Sequence, residues 1–228
     1  MANVEGRSGD TSGVVWGWVE MTSGVVGSVN VQEISLDSSG NTYVTGMVNG
    51  TVAFGSINLV SNGYNDLFIA KLSSSGSWQW AVNVGGQSPD YGKSIVVGQS
   101  GNVYVTGSFN GTVTLGNTNL TSNEDDVFIA KLSTSGSWQW AVSAGGLNAD
   151  QGVGIAIDSG DNVYVTGYFG GEATFGSTNL ISSGGIDIFI SKLSNNGSWQ
   201  WAVSAGGLGY DLGQQIVVDS SGNIYITG

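Results

Sequence analysis

Cysteine and histidine are both missing from this 228-residue chain. Without cysteine there is no disulfide framework and no thiolate chemistry. Without histidine the commonest general base and the commonest transition-metal ligand go together. Proline occurs once, at Pro89. Cations are scarce: Arg7, Lys71, Lys93, Lys131 and Lys192 stand against 17 acids, for a net charge of −12. So few cations cannot neutralise a run of phosphates, which argues against nucleic acid and anionic membrane surfaces as partners. No run reaches the ~18 apolar residues of a membrane span, so no membrane insertion is expected. The opening residues, MANVEGRSGD, hold no apolar core of the signal-peptide kind. The expectation is a protein that stays inside the cell, or a chain in mature or trimmed form. G-x-S-x-G, G-x-x-x-x-G-K-[ST], H-E-x-x-H and dinucleotide fingerprints are absent, and no catalytic residue is assigned.

What the chain has in plenty is glycine, at 39 residues, with many Val, Thr and Ser. That mixture suits short strands joined by tight turns. Three strings recur at one spacing of about 60 residues, which marks a tandem repeat. GNTYVTG, GNVYVTG, DNVYVTG and GNIYITG begin at Gly40, Gly101, Asp161 and Gly222. WQWAV begins at Trp78, Trp138 and Trp199, with a diverged WGWV at Trp16. LFIAKLS, VFIAKLS and IFISKLS begin at Leu67, Val127 and Ile188.

Each unit reads as strands. In the second copy, Lys93–Val97 is one, Val103–Phe109 the next, Val127–Leu132 a third and Trp138–Val142 the last. Asn110-Gly111 reads as the hairpin between the second strand and TVTLG. No stretch sustains a 3.6-residue apolar period, so no helix is expected. Strands apolar on both faces need cover on both, as when sheets stack around an axis. The expected fold is therefore all-β: a β-propeller of four-stranded antiparallel blades, with three full blades and one composite or incomplete blade. The units are residues 31–92, 93–152 and 153–213, with a partial unit 214–228 completed by 13–30. Residues 1–12 form an N-terminal segment in which Val4–Ser8 is open to reading as a degenerate strand. Three arrangements stay open: a ring closed within one chain, a ring closed between two chains, or a piece of a longer protein.

The D-x-x-G-N-x-Y-V-T-G core, the F-x-G-x-x-x-F-G hairpin and the F-I-A-K-L strand resemble the bacterial β-propeller repeats called SBBP repeats. Asp37–Gly46 and Asp219–Gly228 carry the first motif in full. Gly98 replaces its Asp in the second copy, and Asp161 replaces its first Gly in the third. The resemblance implies a secreted or cell-surface bacterial protein and no established activity.

The candidate sites follow from the repeat. Asp37, Asp158 and Asp219 open loops that look like the start of a calcium site, but no Glu closes them, so Asp capping the turn is favoured over calcium. No other cofactor is expected. Asp66, Asp126 and Asp187 precede the FIAKL strands, and with Lys71, Lys131 and Lys192 they are expected to form repeated ion pairs or serve turns. Asp90, Asp150 and Asp211 recur two residues before Gly, and Glu124–Asp126 is the one acidic run. The W-x-W spacing puts both rings on one face, filling the gap between blades. Exposed Trp78, Trp138 and Trp199 would alternatively stack on sugars. The polar inserts 49–62 and 110–123, including Asn110 and Asn123, are the preferred place for a partner. The expected function is a non-enzymatic scaffold or protein-interaction module, with self-association through blade completion. A carbohydrate-binding propeller is the alternative.

Overall fold

β-Branched and aromatic residues alternate with small ones through most of the chain, and the strands follow them. The structure is a computed structural model that describes residues 26–228. The degenerate strand expected in 1–12 and most of the 13–30 completion lie outside those residues. Among the described residues every element is a strand. The first unit holds β1 (Gly27–Leu36), β2 (Thr42–Phe54), β3 (Ile57–Leu72) and β4 (Trp78–Val84). The second holds β5 (Tyr91–Val97), β6 (Val103–Leu115), β7 (Thr118–Leu132) and β8 (Trp138–Gly146). The third holds β9 (Gln151–Ile157), β10 (Val163–Phe175), β11 (Thr178–Leu193) and β12 (Trp199–Ala205). The chain then begins a fourth with β13 (Gln215–Val218) and β14 (Ile224–Thr227).

Each complete unit is an antiparallel meander of four strands. The second and third are bridged where Gly145 and Gly146 of β8 pair with Thr174 and Ala173 of β10. Among the described residues no ladder closes the array from β14 back to β1. The described residues are thus propeller-like, with their sheets not joined into a closed ring.

The cores lie between sheets. Tyr43, Leu67, Ile69 and Val84 of the first unit share a cluster with Val103, Val105, Phe109 and Phe128 of the second. Tyr104, Val127 and Ile129, on the opposite face of the second unit, join Val163, Val165, Phe169 and Phe189 of the third. Adjacent strand residues point to opposite faces, so one strand feeds two cores.

The strands correct one expectation. Asn110-Gly111 is no hairpin turn; β6 runs straight through it. Asn110 pairs with Asp125 and Thr112 with Thr121, so Gly111 alone stands opposite Ser122, Asn123 and Glu124, and the ladder bulges there with its extra residues on β7. The Gly111 φ of 79° is the left-handed value that glycine adopts without strain. The reversal comes later, at Gly116-Asn117, between the paired Leu115 and Thr118.

The VTG glycines mark a close approach. At Gly107 a Cβ would collide with the Tyr91 carbonyl oxygen of β5. Gly46 meets Asn30 and Gly167 meets Gln151 in the same way. Gly107→Ala should therefore lower stability by about 1–3 kcal/mol, the usual result of overpacking, read as a lower urea midpoint at unchanged slope. An unaltered midpoint would contradict this account of the crossing.

Candidate functional site: the axial mouth and the sheet junctions

The first strands of the units come together. β1, β5 and β9 each carry a bulge that inserts one residue into the ladder. The extra residues are Gln32, Lys93 and Val153. A bulge re-aims the side chain it adds. All three line one cavity of about 460 Å³, together with Gln151, Tyr168, Leu212, Gln214 and Gln215. A second opening of about 380 Å³ is lined by β1, β5, β9 and β13, with Ile34, Ile95, Ile155 and Ile216 at equivalent places. Side chains tie the strands together here. Glu33 accepts the Ser94 hydroxyl and, at 2.7 Å, the Ile95 N–H. Ser94 Oγ in turn accepts the Ile155 N–H at 3.2 Å.

The bulge position reads Gln32, Lys93, Val153 and then Gln214, and the residue after it varies as well, as Glu33, Ser94, Gly154 and Gln215. It departs from the repeat where the structure opens a cavity. A repeat shows itself through what recurs, so this position is legible only in the position-by-position divergence between copies. Lys93 also sits 5.2 Å from the Tyr91 ring centroid.

The calcium candidates are turn caps. Asp37 accepts the N–H groups of Ser39 and Asn41 at 2.9 Å, the Asn41 side-chain amide at 2.7 Å and the Tyr43 hydroxyl at 3.2 Å. Asp158 and Asp219 repeat the pattern through Asn162 and Tyr164, and through Asn223 and Tyr225. Burial opposes the charge on Asp37 and Asp158, but the donors, the asparagine amide foremost, hold both pKa values below the ordinary range. The second unit has Gly98 in this place. A carboxylate still arrives, from the third unit. Asp161 Oδ1 lies 2.7 Å from where a Cβ on Gly98 would sit, and Ser100 Oγ donates to Asp161 Oδ2 at 3.3 Å. Asp161 holds a φ of 59° where the other copies have glycine. Tyr104, which would donate to the missing Asp, keeps a buried hydroxyl without a partner.

The described tryptophans are half-buried and packed. Trp78 meets Phe54 edge-on at 4.9 Å, and Trp199 meets Phe175 at 5.7 Å. Trp138 packs on the core containing Leu115. These rings serve their own sheets. The second ring of the first two described pairs crosses to the neighbour, as Trp80 Nε1 donates to the Thr134 carbonyl and Trp140 Nε1 to that of Asn195. Asn123 is exposed in its insert. Asn110 is held by its own N–H to Asp90 and its amide to Asp125.

The expected Asp–Lys pairs give way to a different row. Lys71, Lys131 and Lys192 lie 4.9–5.1 Å over the rings of Tyr43, Tyr104 and Tyr164, their direct cross-strand partners. The lysines thus keep a partner without entering the core. Asp158 approaches Lys192 at 4.0 Å.

The aspartates themselves fasten the junctions. Asp90 accepts Gly86 N–H at 2.8 Å on the unit behind it and Asn110 N–H at 3.1 Å on the unit ahead. Asp150 does the same with Gly146 and Gly170. Both are fully buried. Burial, against these hydrogen bonds, pushes Asp90 up to about 6 and Asp150 to about 7.

Residues 139–168 match the family model described as a beta-propeller repeat, SBBP. Over 183 residues, 69% of this chain, it is 24% identical to an uncharacterized WD repeat-containing protein of Acanthamoeba polyphaga mimivirus. Over 143 residues, 60% of this chain, it is 29% identical to the regulatory protein FlaEY of Caulobacter vibrioides. The chain spans only 13% and 15% of those two proteins. A solved structure of a Bacteroides caccae protein of unknown function aligns with 87% of this chain and 53% of its own, at 8% identity and a TM-score of 0.45.

Two outcomes are expected. Asp90 titrates near 3.8 when unfolded and near 6 when folded, so its contribution is complete at low pH and fades as pH rises through 6. Unfolding free energy should fall on the order of 3 kcal/mol from about pH 4 to above 6 on this account, and Asp90→Asn should flatten that limb in a series of urea melts. A profile of the opposite slope in that window would exclude it. Separately, Gly98→Asp should destabilise alone, by crowding Asp161, and be relieved in Gly98→Asp/Asp161→Gly. A double-mutant cycle should show coupling of about 1 kcal/mol or more; additive effects would mean Asp161 does not serve the second unit.

Proposed function

We propose that this chain is a non-enzymatic interaction module of propeller blades that holds a partner protein at the axial mouth. One observation carries the reading: the bulge residues Gln32, Lys93 and Val153 differ in chemistry from copy to copy, and they line one shared cavity. Amides, one ammonium and the Tyr168 phenol offer a hydrogen-bonding surface suited to a polar peptide loop. The likeness to a WD repeat-containing protein and to a regulatory protein supports an interaction role. A sugar would call on ring faces that Phe54, Phe175 and the neighbouring turns already engage, which favours the protein partner.

The same reading includes a fourth blade, built from residues 214–228 and 13–30, within one chain or between two. It is supported by β13 and β14, which repeat the first two strands of a unit and leave Val217 and Tyr225 more than half exposed. Secretion or surface display belongs to this proposal too and is supported by the resemblance to SBBP repeats.

A photo-crosslinking residue at position 153 should trap a discrete protein from the source cell, and one at the exposed Ser75 turn should not. Adding Lys93→Glu should abolish the adduct while shifting the melting temperature by no more than about 1 °C, as for a surface change. Equal capture at both positions, or capture indifferent to Lys93, would rule out the mouth as the docking place.

A further inference from the structure

The lining of the axial mouth is one-sided in its chemistry. Gln32, Lys93, Gln151, Tyr168 and Gln214 bring side-chain N–H or O–H donors to the cavity of about 460 Å³. Among the described residues no aspartate or glutamate lines it, in a chain where acids outnumber bases 17 to 5. Lys93 is its single charge. The acids that come near are engaged elsewhere. Glu33, next to Gln32, accepts the Ser94 hydroxyl and the Ile95 N–H, and lines the second opening. Asp125 accepts the Asn110 amide at 3.1 Å. Burial first, and the Asp125 charge after it, raise the pKa of Tyr168. A phenol held protonated remains a donor.

Lys93 has no counter-charge to match. Among the described residues the one ion pair within 4.0 Å joins Lys192 to Asp158. Lys93 has the Tyr91 ring instead, 5.2 Å from its centroid. A ring face orients an ammonium but does not cancel its charge. The bulge at Lys93 turns that charge into the mouth. Between protein walls a lone charge attracts its opposite more strongly than on open surface.

The sign and size of the ligand follow. A cation would meet an ammonium with no acid to offset it. A phosphate monoester carries nearly two charges, and one would go unmatched in a strongly acidic protein. A carboxylate carries one charge and accepts from about four directions, which an ammonium, amides and a phenol can supply. Chain termini are captured by nests of backbone N–H groups, whereas the donors here are side chains. Resting on the docking place given above, we infer that the axial mouth recognises an aspartate or glutamate side chain on a loop of the partner protein. Lys93 pairs with the carboxylate, and Gln32, Gln151 and Tyr168 complete its hydrogen bonds. A cavity of this volume holds such a side chain with part of its loop.

The test follows the isotope-labelled full chain by NMR as three peptides are added. They are acetyl-Gly-Glu-Gly-amide, its glutamine counterpart, and acetyl-Gly-Gln-Gly with a free terminal carboxylate. The glutamate peptide should shift the side-chain amide signals of Gln32 and Gln151 saturably. The glutamine peptide should bind about tenfold more weakly or worse, the loss of one charge-assisted contact. Lys93→Gln should bring the glutamate peptide down to that level, and Lys93→Arg should keep most of the binding. Lys71→Gln makes the same change of net charge away from the mouth, over Tyr43, and should bind as the parent does. The peptide comparison on the parent chain stands whether or not a variant folds. Equal binding of the glutamate and glutamine peptides would overturn the carboxylate but leave the docking place, which the crosslink at position 153 tests by itself. Preference for the free terminus, binding undiminished in Lys93→Gln, or no binding by any of the three would each overturn the proposal.

Discussion

Every sheet in this protein is apolar on both sides, and that constraint governs the rest. Tyr43 and Val44 are consecutive and both buried, in different clusters. The same holds for Phe68 and Ile69, and for Phe128 and Ile129. A fully buried side chain of this size contributes roughly 1.5–3 kcal/mol, but only when something covers it. Four strands cannot wrap themselves, so each unit is stable through its neighbours. The bulges, the glycine crossings and the inter-unit indole bonds are all consequences of bringing neighbours close enough.

The polar parts of the junctions answer the same need. Where sheets press together, backbone N–H groups at their ends would be stranded. Asp90 and Asp150 reach across and accept one from each side. This explains how a chain with so few charges spends several of them in its interior. A buried carboxylate between two sheets fixes their relative placement, because its acceptors have direction and dispersion contacts do not. Its drawback is desolvation, which shows as the raised pKa values.

Much of the fold was legible because local signals agreed. The recurring strings gave the units, their β-branched content gave the strands, and their two-faced apolarity gave the stacking. The W-x-W spacing led to rings on one face, and the structure divides their labour between the home sheet and the next. Asn110-Gly111 misled, since a left-handed glycine serves a bulge as well as a turn, and only pairing across the strand distinguishes them. Asp66 and Lys71 are near in sequence, which suggested a pair; cross-strand register instead set Lys71 opposite Tyr43. The axial mouth was illegible for a different reason. A repeat is found through what its copies share, whereas Gln32, Lys93 and Val153 sit where they differ.

Asp161 shows that these copies are not interchangeable parts. The second copy lost the carboxylate of its turn, and the third carries one in a strained glycine position that points back into the vacancy. The two departures make sense only side by side. Away from the third copy, Ser100 of the second would lose the carboxylate its hydroxyl donates to, so at this turn the structural unit is the pair.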